Sequence, residues 1–189
     1  MRNVILHLHM SVDNVVSDPD KWMIMNDELL EESIRYYSTI DTVVFGSRTY
    51  PFLAEYWQKA EKSSASAIEK KFAKKLNGIN KLVLSRSSVE LVWPNSKLLN
   101  FKDIPALAKS IADLKNNKGK NISVESGIGT WRLFLEHQLF DELLLYVQPV
   151  IVGKGEKLFT DDEPKTMLYV KSTKSFDSGV LELRYGRSK

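Results

Sequence analysis

At 189 residues and 21.6 kDa, the chain is long enough for one domain, taking roughly 150 residues as one domain's worth. Hydrophobic residues at 43% and charged residues at 27% lie near the globular average, which excludes disordered, collagen-like and coiled-coil chains. The net charge of +3 is too small to argue for a nucleic-acid surface, and the absence of cysteine removes disulfides, thiolate zinc sites, iron–sulfur clusters and zinc-dependent deaminase chemistry.

Residues 2–10 alternate, with Val4, Leu6, Leu8 and Met10 on one face and Ile5, His7 and His9 on the other, which predicts a first strand. Two histidines interrupt this apolar stretch and no small-residue cleavage site follows, so it does not read as a secretory signal. With no run near the roughly 18 apolar residues of a membrane span, the expected address is the cytoplasm. The strand runs into Ser11-Val12-Asp13-Asn14, a turn-forming sequence, and then into a loop carrying Trp22. From Asn26 as N-cap, Leu29, Leu30, Ile34, Tyr37 and Ile40 form one helical stripe, with acids in the first turn.

Thr42-Val43-Val44-Phe45, ending at Gly46, reads as a buried strand. Residues 59–75 are rich in Lys, Ser and Ala and read as a solvated helix or loop without a domain boundary. The strand-then-helix beat then repeats: Lys81–Leu84 ending in Ser85-Arg86-Ser87, a helix from about Asp103 to Asn116, Asn121–Val124 ending in Glu125-Ser126-Gly127, and a helix from Thr130 to Gln138. Such alternation predicts crossover units and a largely parallel sheet. The final segment predicts one long strand over residues 142–152 with Pro149 inside it, then strands at 166–176 and 180–186 around a three-residue loop, Asp177-Ser178-Gly179. The expectation is a single α/β domain over residues 1–189 with an antiparallel C-terminal hairpin.

Ligands of open α/β sheets bind beyond the carboxyl ends of the strands. Four turns lie there: Asp13-Asn14, Gly46-Ser47-Arg48-Thr49, Ser85-Arg86, and Ser126-Gly127-Ile128-Gly129-Thr130. Two place arginine beside hydroxyls and two place glycine before a helix start, where free N–H groups and the helix dipole attract anions. Any one alone reads as an ordinary tight turn or surface charge; together they describe a pocket for a ligand with several phosphates.

These segments, SVDNVVS, VVFGSRTY, KLVLSRS and SGIGTWRLFLEHQLFDELLLYVQPVIVGKGEKLF, together with the closing hairpin, resemble the dihydrofolate reductase-like superfamily. The nearest resemblance is to the reductase domain of the riboflavin-biosynthesis deaminase-reductase and its stand-alone relatives. It implies a three-layer fold with a central, mostly parallel sheet, an antiparallel C-terminal hairpin and helices on both faces. It also implies NADPH binding for hydride transfer and a homodimer. Carried over, the adenosine 2′-phosphate falls near Arg48, Thr49, Ser85 and Arg86, adjoining Gly46 and Ser47. The pyrophosphate falls over Ser126, Gly127, Ile128, Gly129 and Thr130, and the loop at Asp13 and Asn14 closes near the nicotinamide. Asn14 replaces a glycine usual in relatives, Glu125-Ser126 stands where glycine is usual, and the paired-aspartate run that grips ribose phosphate has no counterpart after Phe45.

The proton is expected from solvent or from an acid, with Asp13 and Glu31 the candidates, Glu31 by analogy with the buried acid on the first helix of a dihydrofolate reductase. Trp22 and Trp57 are candidate walls of a ring-binding pocket. His7 and His9 share a strand face but lack an evident third ligand, so no metal is expected. The expected function is reduction of a small heterocycle, with 5-amino-6-(5-phosphoribosylamino)uracil and dihydrofolate as the named substrates. The alternative is a non-catalytic nucleotide-binding module, which Asn14 and Glu125 favour.

Overall fold

The computed structural model describes residues 1–160 and 164–188. In chain order its elements are β1 (Val4–Ser11), α1 (Asp27–Tyr37), β2 (Ile40–Gly46), α2 (Tyr50–Ser63), α3 (Ala67–Gly78), β3 (Asn80–Ser85), β4 (Ser96–Asn100), α4 (Ile104–Asn116), β5 (Asn121–Val124), α5 (Ile128–Glu136), β6 (Glu142–Gln148), β7 (Leu168–Ser175) and β8 (Leu181–Arg187). The strands are mixed in direction: neighbours in the order β4-β3-β2-β5 pair in parallel, and in the order β1-β6-β8-β7 the β1–β6 pair is parallel while β8 runs antiparallel to β6 and β7. The chain forms two compact units. The first is Met1–Arg2 with Met25–Gly127, and the second is Asn3–Ile24 with the chain from Ile128 onward.

In the first unit β2 pairs in parallel with β3 and with β5, and β4 adds to β3. The apolar runs that predicted these strands are the core: Val43, Val44, Phe45, Val83, Ile122 and Val124 are buried. Asn26 caps α1, its side chain accepting from the Leu29 N–H at 3.1 Å, and Leu29, Leu30, Tyr36 and Tyr37 go inside. The Lys-rich stretch is the end of α2 and most of α3, solvated on its outer side and anchored by Phe72, Ala73 and Leu76. Phe72 receives the edges of Tyr37 and Trp57, with ring centroids 5.0 and 4.9 Å away.

Lys81 is fully buried at the start of β3. Its ammonium donates to the carbonyls of Asn77, Ile79 and Pro94 at 2.9, 2.8 and 3.1 Å and lies 4.7 Å from the centre of the Trp93 ring. It thus ties the C-terminal end of α3 to the loop before β4, a favourable place for a cation. Burial pushes this ammonium down to about 8.

In the second unit β1 and β6 are parallel, while β8 runs antiparallel to both β6 and β7. The predicted hairpin loop is present: the Phe176 N–H donates to Val180 at 3.0 Å, and Gly179 takes φ +82°, which glycine adopts freely. The expected long strand over residues 142–152 ends at Gln148, immediately before Pro149, which has no N–H for the ladder. Buried Glu142 accepts from Asn3 (2.7 Å), Lys171 (2.5 Å) and Arg184 (2.7 Å). Burial works to raise its pKa, and these donors outweigh burial and hold the carboxyl below its ordinary value.

Candidate functional site

In the first unit the carboxyl ends of β3, β2 and β5 lie side by side, because the strands are parallel and in register: Gly46 faces Leu84, and Val44 faces Val124. The turns beyond them interlock. The Gly46 N–H donates to the Ser126 hydroxyl at 2.7 Å, the Ser47 N–H to the Leu84 carbonyl at 3.1 Å, and the Thr49 N–H to the Gly46 carbonyl at 3.1 Å. A Cβ on Gly127 would stand 2.8 Å from the Thr49 hydroxyl, so any side chain there would have to displace that hydroxyl. The expected gathering of Gly46, Ser47, Thr49, Ser126 and Gly127 is therefore found.

Ser85 is buried, and its hydroxyl accepts from the Ser87 N–H at 3.1 Å, shaping the turn that presents Arg86. Arg86 is exposed, its guanidinium 5.3 Å from the Phe101 ring centre; Arg48 is exposed at the start of the α2 turn. Among the described residues neither arginine has an ion-pair partner, so both charges remain available to an anion.

Glu125 is a side chain whose position the sequence left ambiguous. It accepts from the Ser123 hydroxyl at 2.6 Å, and Ser123 in turn accepts from the Tyr36 hydroxyl at 2.7 Å. Burial, and behind it the Glu125 charge and hydrogen bond, raise Tyr37 well above its ordinary value. The carboxylate is thus engaged with hydroxyls of its own unit.

Asp13, in the second unit, is no proton donor. Its carboxylate accepts from the Ser11 hydroxyl (2.7 Å) and from the N–H groups of Val152 (3.0 Å) and Gly153 (2.8 Å), and these bonds lower it to about 2. Asn14 adopts φ +70°, which asparagine tolerates better than other non-glycine residues, and its amide bonds reciprocally to the N–H and carbonyl of Phe159 at 3.1 and 2.8 Å. The side chain thus tethers this turn to the segment at Phe159. Ile128, Gly129 and Thr130 open α5, two residues earlier than the predicted boundary, and a Cβ on Gly129 would meet nothing within 4 Å.

Three expected site residues are placed otherwise. Glu31 is not the buried acid sought on the first helix: its side chain is 59% exposed and pairs with Arg35 at 3.8 Å. The dipole-complementing role of first-turn acids accounts for it. Trp57 packs between Tyr56 and Phe72 at the α2–α3 contact. Trp22 is half-buried and donates its indole N–H to the Ser17 carbonyl at 2.8 Å, bracing its own loop. Among the described residues no three His, Asp or Glu side chains are placed to hold a metal ion, and no helix is long and apolar enough to cross a membrane.

Residues 2–181 match the family model of the RibD C-terminal domain. The chain is 27% identical over 187 residues to the uncharacterized protein YyaP of Bacillus subtilis (strain 168), covering 97% of this chain and 94% of that protein. It is 27% identical over 194 residues to YwjB of the same organism, also uncharacterized, covering 99% of each. Its fold is shared with a putative riboflavin biosynthesis protein from Shewanella sp. PV-4 (TM-score 0.72, 18% identity, 99% of each chain). It is also shared with Acinetobacter baumannii RibD (TM-score 0.70, 15% identity, all of this chain and 59% of that one). The alternating strands and helices, the interlocked glycine and hydroxyl turns, and a match that spans residues 2–181 lead to one assignment: this chain belongs to the RibD C-terminal domain family.

Proposed function

We propose that this protein is an NADPH-dependent reductase of a small heterocyclic substrate, of the class of 5-amino-6-(5-phosphoribosylamino)uracil, working in the cytoplasm as a homodimer. The observation that carries the reading is the row of three turns at the carboxyl ends of β3, β2 and β5 in a member of a reductase-domain family. Nicotinamide coenzymes supply the hydride, so the protein's task is binding, orientation and electrostatics.

The residues fit a coenzyme that carries a pyrophosphate and a separate 2′-phosphate. Gly127 lies close against the Thr49 hydroxyl, and the space beside Gly129 is open. Arg48 and Arg86 supply unpaired guanidinium groups, whose rigid fork suits a phosphate monoester, with Thr49 and Ser85 contributing hydroxyls. Ser126, Gly127, Ile128, Gly129 and Thr130 form the loop and first turn of α5, where unbonded N–H groups favour a pyrophosphate. Since Asp13 is ionised and Glu31 faces solvent, the proton that accompanies hydride arrives from water in this reading.

Mixing the protein with NADPH and 5-amino-6-(5-phosphoribosylamino)uracil, and following loss of the reduced nicotinamide absorbance, tests it. Turnover with this uracil and none with dihydrofolate is the expected result; no oxidation with either contradicts the proposal.

A further inference from the structure

Within the first unit, the amino ends of β2 and β3 border a hollow of about 350 Å³, at the opposite ends of these strands from the turns described above. Its wall is made by the last turns of α1 and α3, the first residues of β2 and β3, and Lys120 just ahead of β5. The volume lies within the range of small-ligand pockets. Asp41 is the one carboxylate among the described residues of this wall, and it is already engaged. It pairs with Arg2 and accepts from the Lys120 N–H at 2.7 Å and the Thr42 hydroxyl at 2.8 Å. Lys120 gives one of its three ammonium protons to the Ser38 carbonyl, 2.8 Å away, and keeps two. Lys75 is half-buried, and its ammonium has no partner among the described residues. Asn80 donates one amide N–H to the Asp41 carbonyl at 3.1 Å and keeps the other.

Two helices end at this hollow, and the carbonyls of a helix C-terminus disfavour anions. Here those carbonyls are covered: Ser38 by Lys120, and Asn77 and Ile79 from the inside by Lys81. Lys81 is buried, as is Arg2 on the far side of Asp41, and buried charges are screened far less by salt than exposed ones. Four cations therefore line or back a wall that carries one neutralised carboxylate. An ordinary surface lysine pairs with a neighbouring acid or extends into water; here two ammonium groups share one concavity after its acid has been satisfied. We propose that this hollow is a second anion site, which binds a phosphate dianion, either free or as the terminal group of a small ester. Lysine serves phosphate as a point charge and needs no bidentate plane. The open space beside Gly78, where an added Cβ would meet nothing within 4 Å, leaves room for the organic part of an ester. The proposal stands apart from the reductase reading, because every residue it uses lies away from the turns after β2, β3 and β5.

The test is amide-resolved NMR of the full chain, titrated with inorganic phosphate and with ribose 5-phosphate at matched ionic strength. Residue-level resolution separates this site from Arg48 and Arg86, which either probe can also reach. The expected result is saturable shifts at the amides of Gly78, Asn80 and Lys120. Tighter binding of ribose 5-phosphate identifies an ester as the ligand, and equal affinity identifies the free anion. Two variants then remove the site. Gly78→Glu puts a carboxylate into the open space at a helical position whose φ is not positive, so the backbone accepts it. Lys75→Ala removes one of the two ammonium groups. Each should weaken binding at these three amides at least about tenfold while shifts at the Arg86 amide stay within about twofold of the parent. Shifts at Gly78, Asn80 and Lys120 that never saturate, or that keep the parent affinity in either variant, overturn the proposal.

Discussion

Asp13 staples residues 11–13 to residues 152–153 as an anion, and its low proton affinity has a stated consequence for stability. A folded-state pKa lowered from 3.8 to about 2 contributes stability that is present above pH 3.8 and lost as the pH falls through about 2. Asp13→Asn should therefore remove that acid-side slope: melting curves of parent and variant converge towards pH 2, and a constant offset at all pH values would refute the assignment. Lys81 has the opposite sign. Its folded pKa is lowered from 10.5 to about 8, so its charged form carries a desolvation penalty below pH 8 that is relieved as the pH rises towards 10.5. Relative to Lys81→Met, the parent should gain stability across that window in urea titrations. At neutral pH Lys81→Met strands three carbonyls and is expected to lose roughly 1–3 kcal/mol. Neither residue announced its role in the sequence, because Asp13 read as a candidate proton donor and Lys81 as an ordinary strand lysine until the partners were in place.

At the scale of elements, the segments with a strong period or an explicit cap were readable. The alternation of Val4–Met10, the Asn26 cap and the Val43–Phe45 run all became the elements they suggested. Strand β4 was not anticipated, since Ser96–Asn100 is half-exposed and has no alternation, and only its pairing to β3 makes it a strand. The 59–75 stretch hid two helices because its lysines obscure the apolar stripe of Phe72, Ala73 and Leu76. The turns after β2, β3 and β5 were legible as glycines and hydroxyls after strands, but the interlock that joins Gly46 and Thr49 to Ser126 and Gly127 was not. That interlock is testable: Gly127→Ala should cost about 1 kcal/mol by displacing the Thr49 hydroxyl, and the Thr49→Ala background should recover most of it. Independent, additive effects in a double-mutant cycle by chemical denaturation would show that the two turns do not touch.

For the molecule as a whole, membership of the RibD C-terminal domain family and the parallel β3-β2-β5 row account for the fold. The resemblance read from the sequence was sound because its motifs lie at the turns that the sheet order brings together. The substrate side was less legible: Trp57 turned out to be helix packing and Glu31 a solvent-facing acid, since a tryptophan or a carboxylate in sequence carries no record of which way it faces. The central claim is that unpaired Arg48 and Arg86 make this a site for the 2′-phosphorylated coenzyme. Calorimetric titration of the parent and of the Arg48→Ala/Arg86→Ala double variant with NADPH and NADH tests it most directly. The account predicts that the parent binds NADPH at least about tenfold more tightly than NADH, and that the double variant loses this preference while still binding both, two charge-assisted contacts being worth roughly 1.5–3 kcal/mol each. Binding of neither coenzyme by the parent, or a preference unchanged in the double variant, would contradict it.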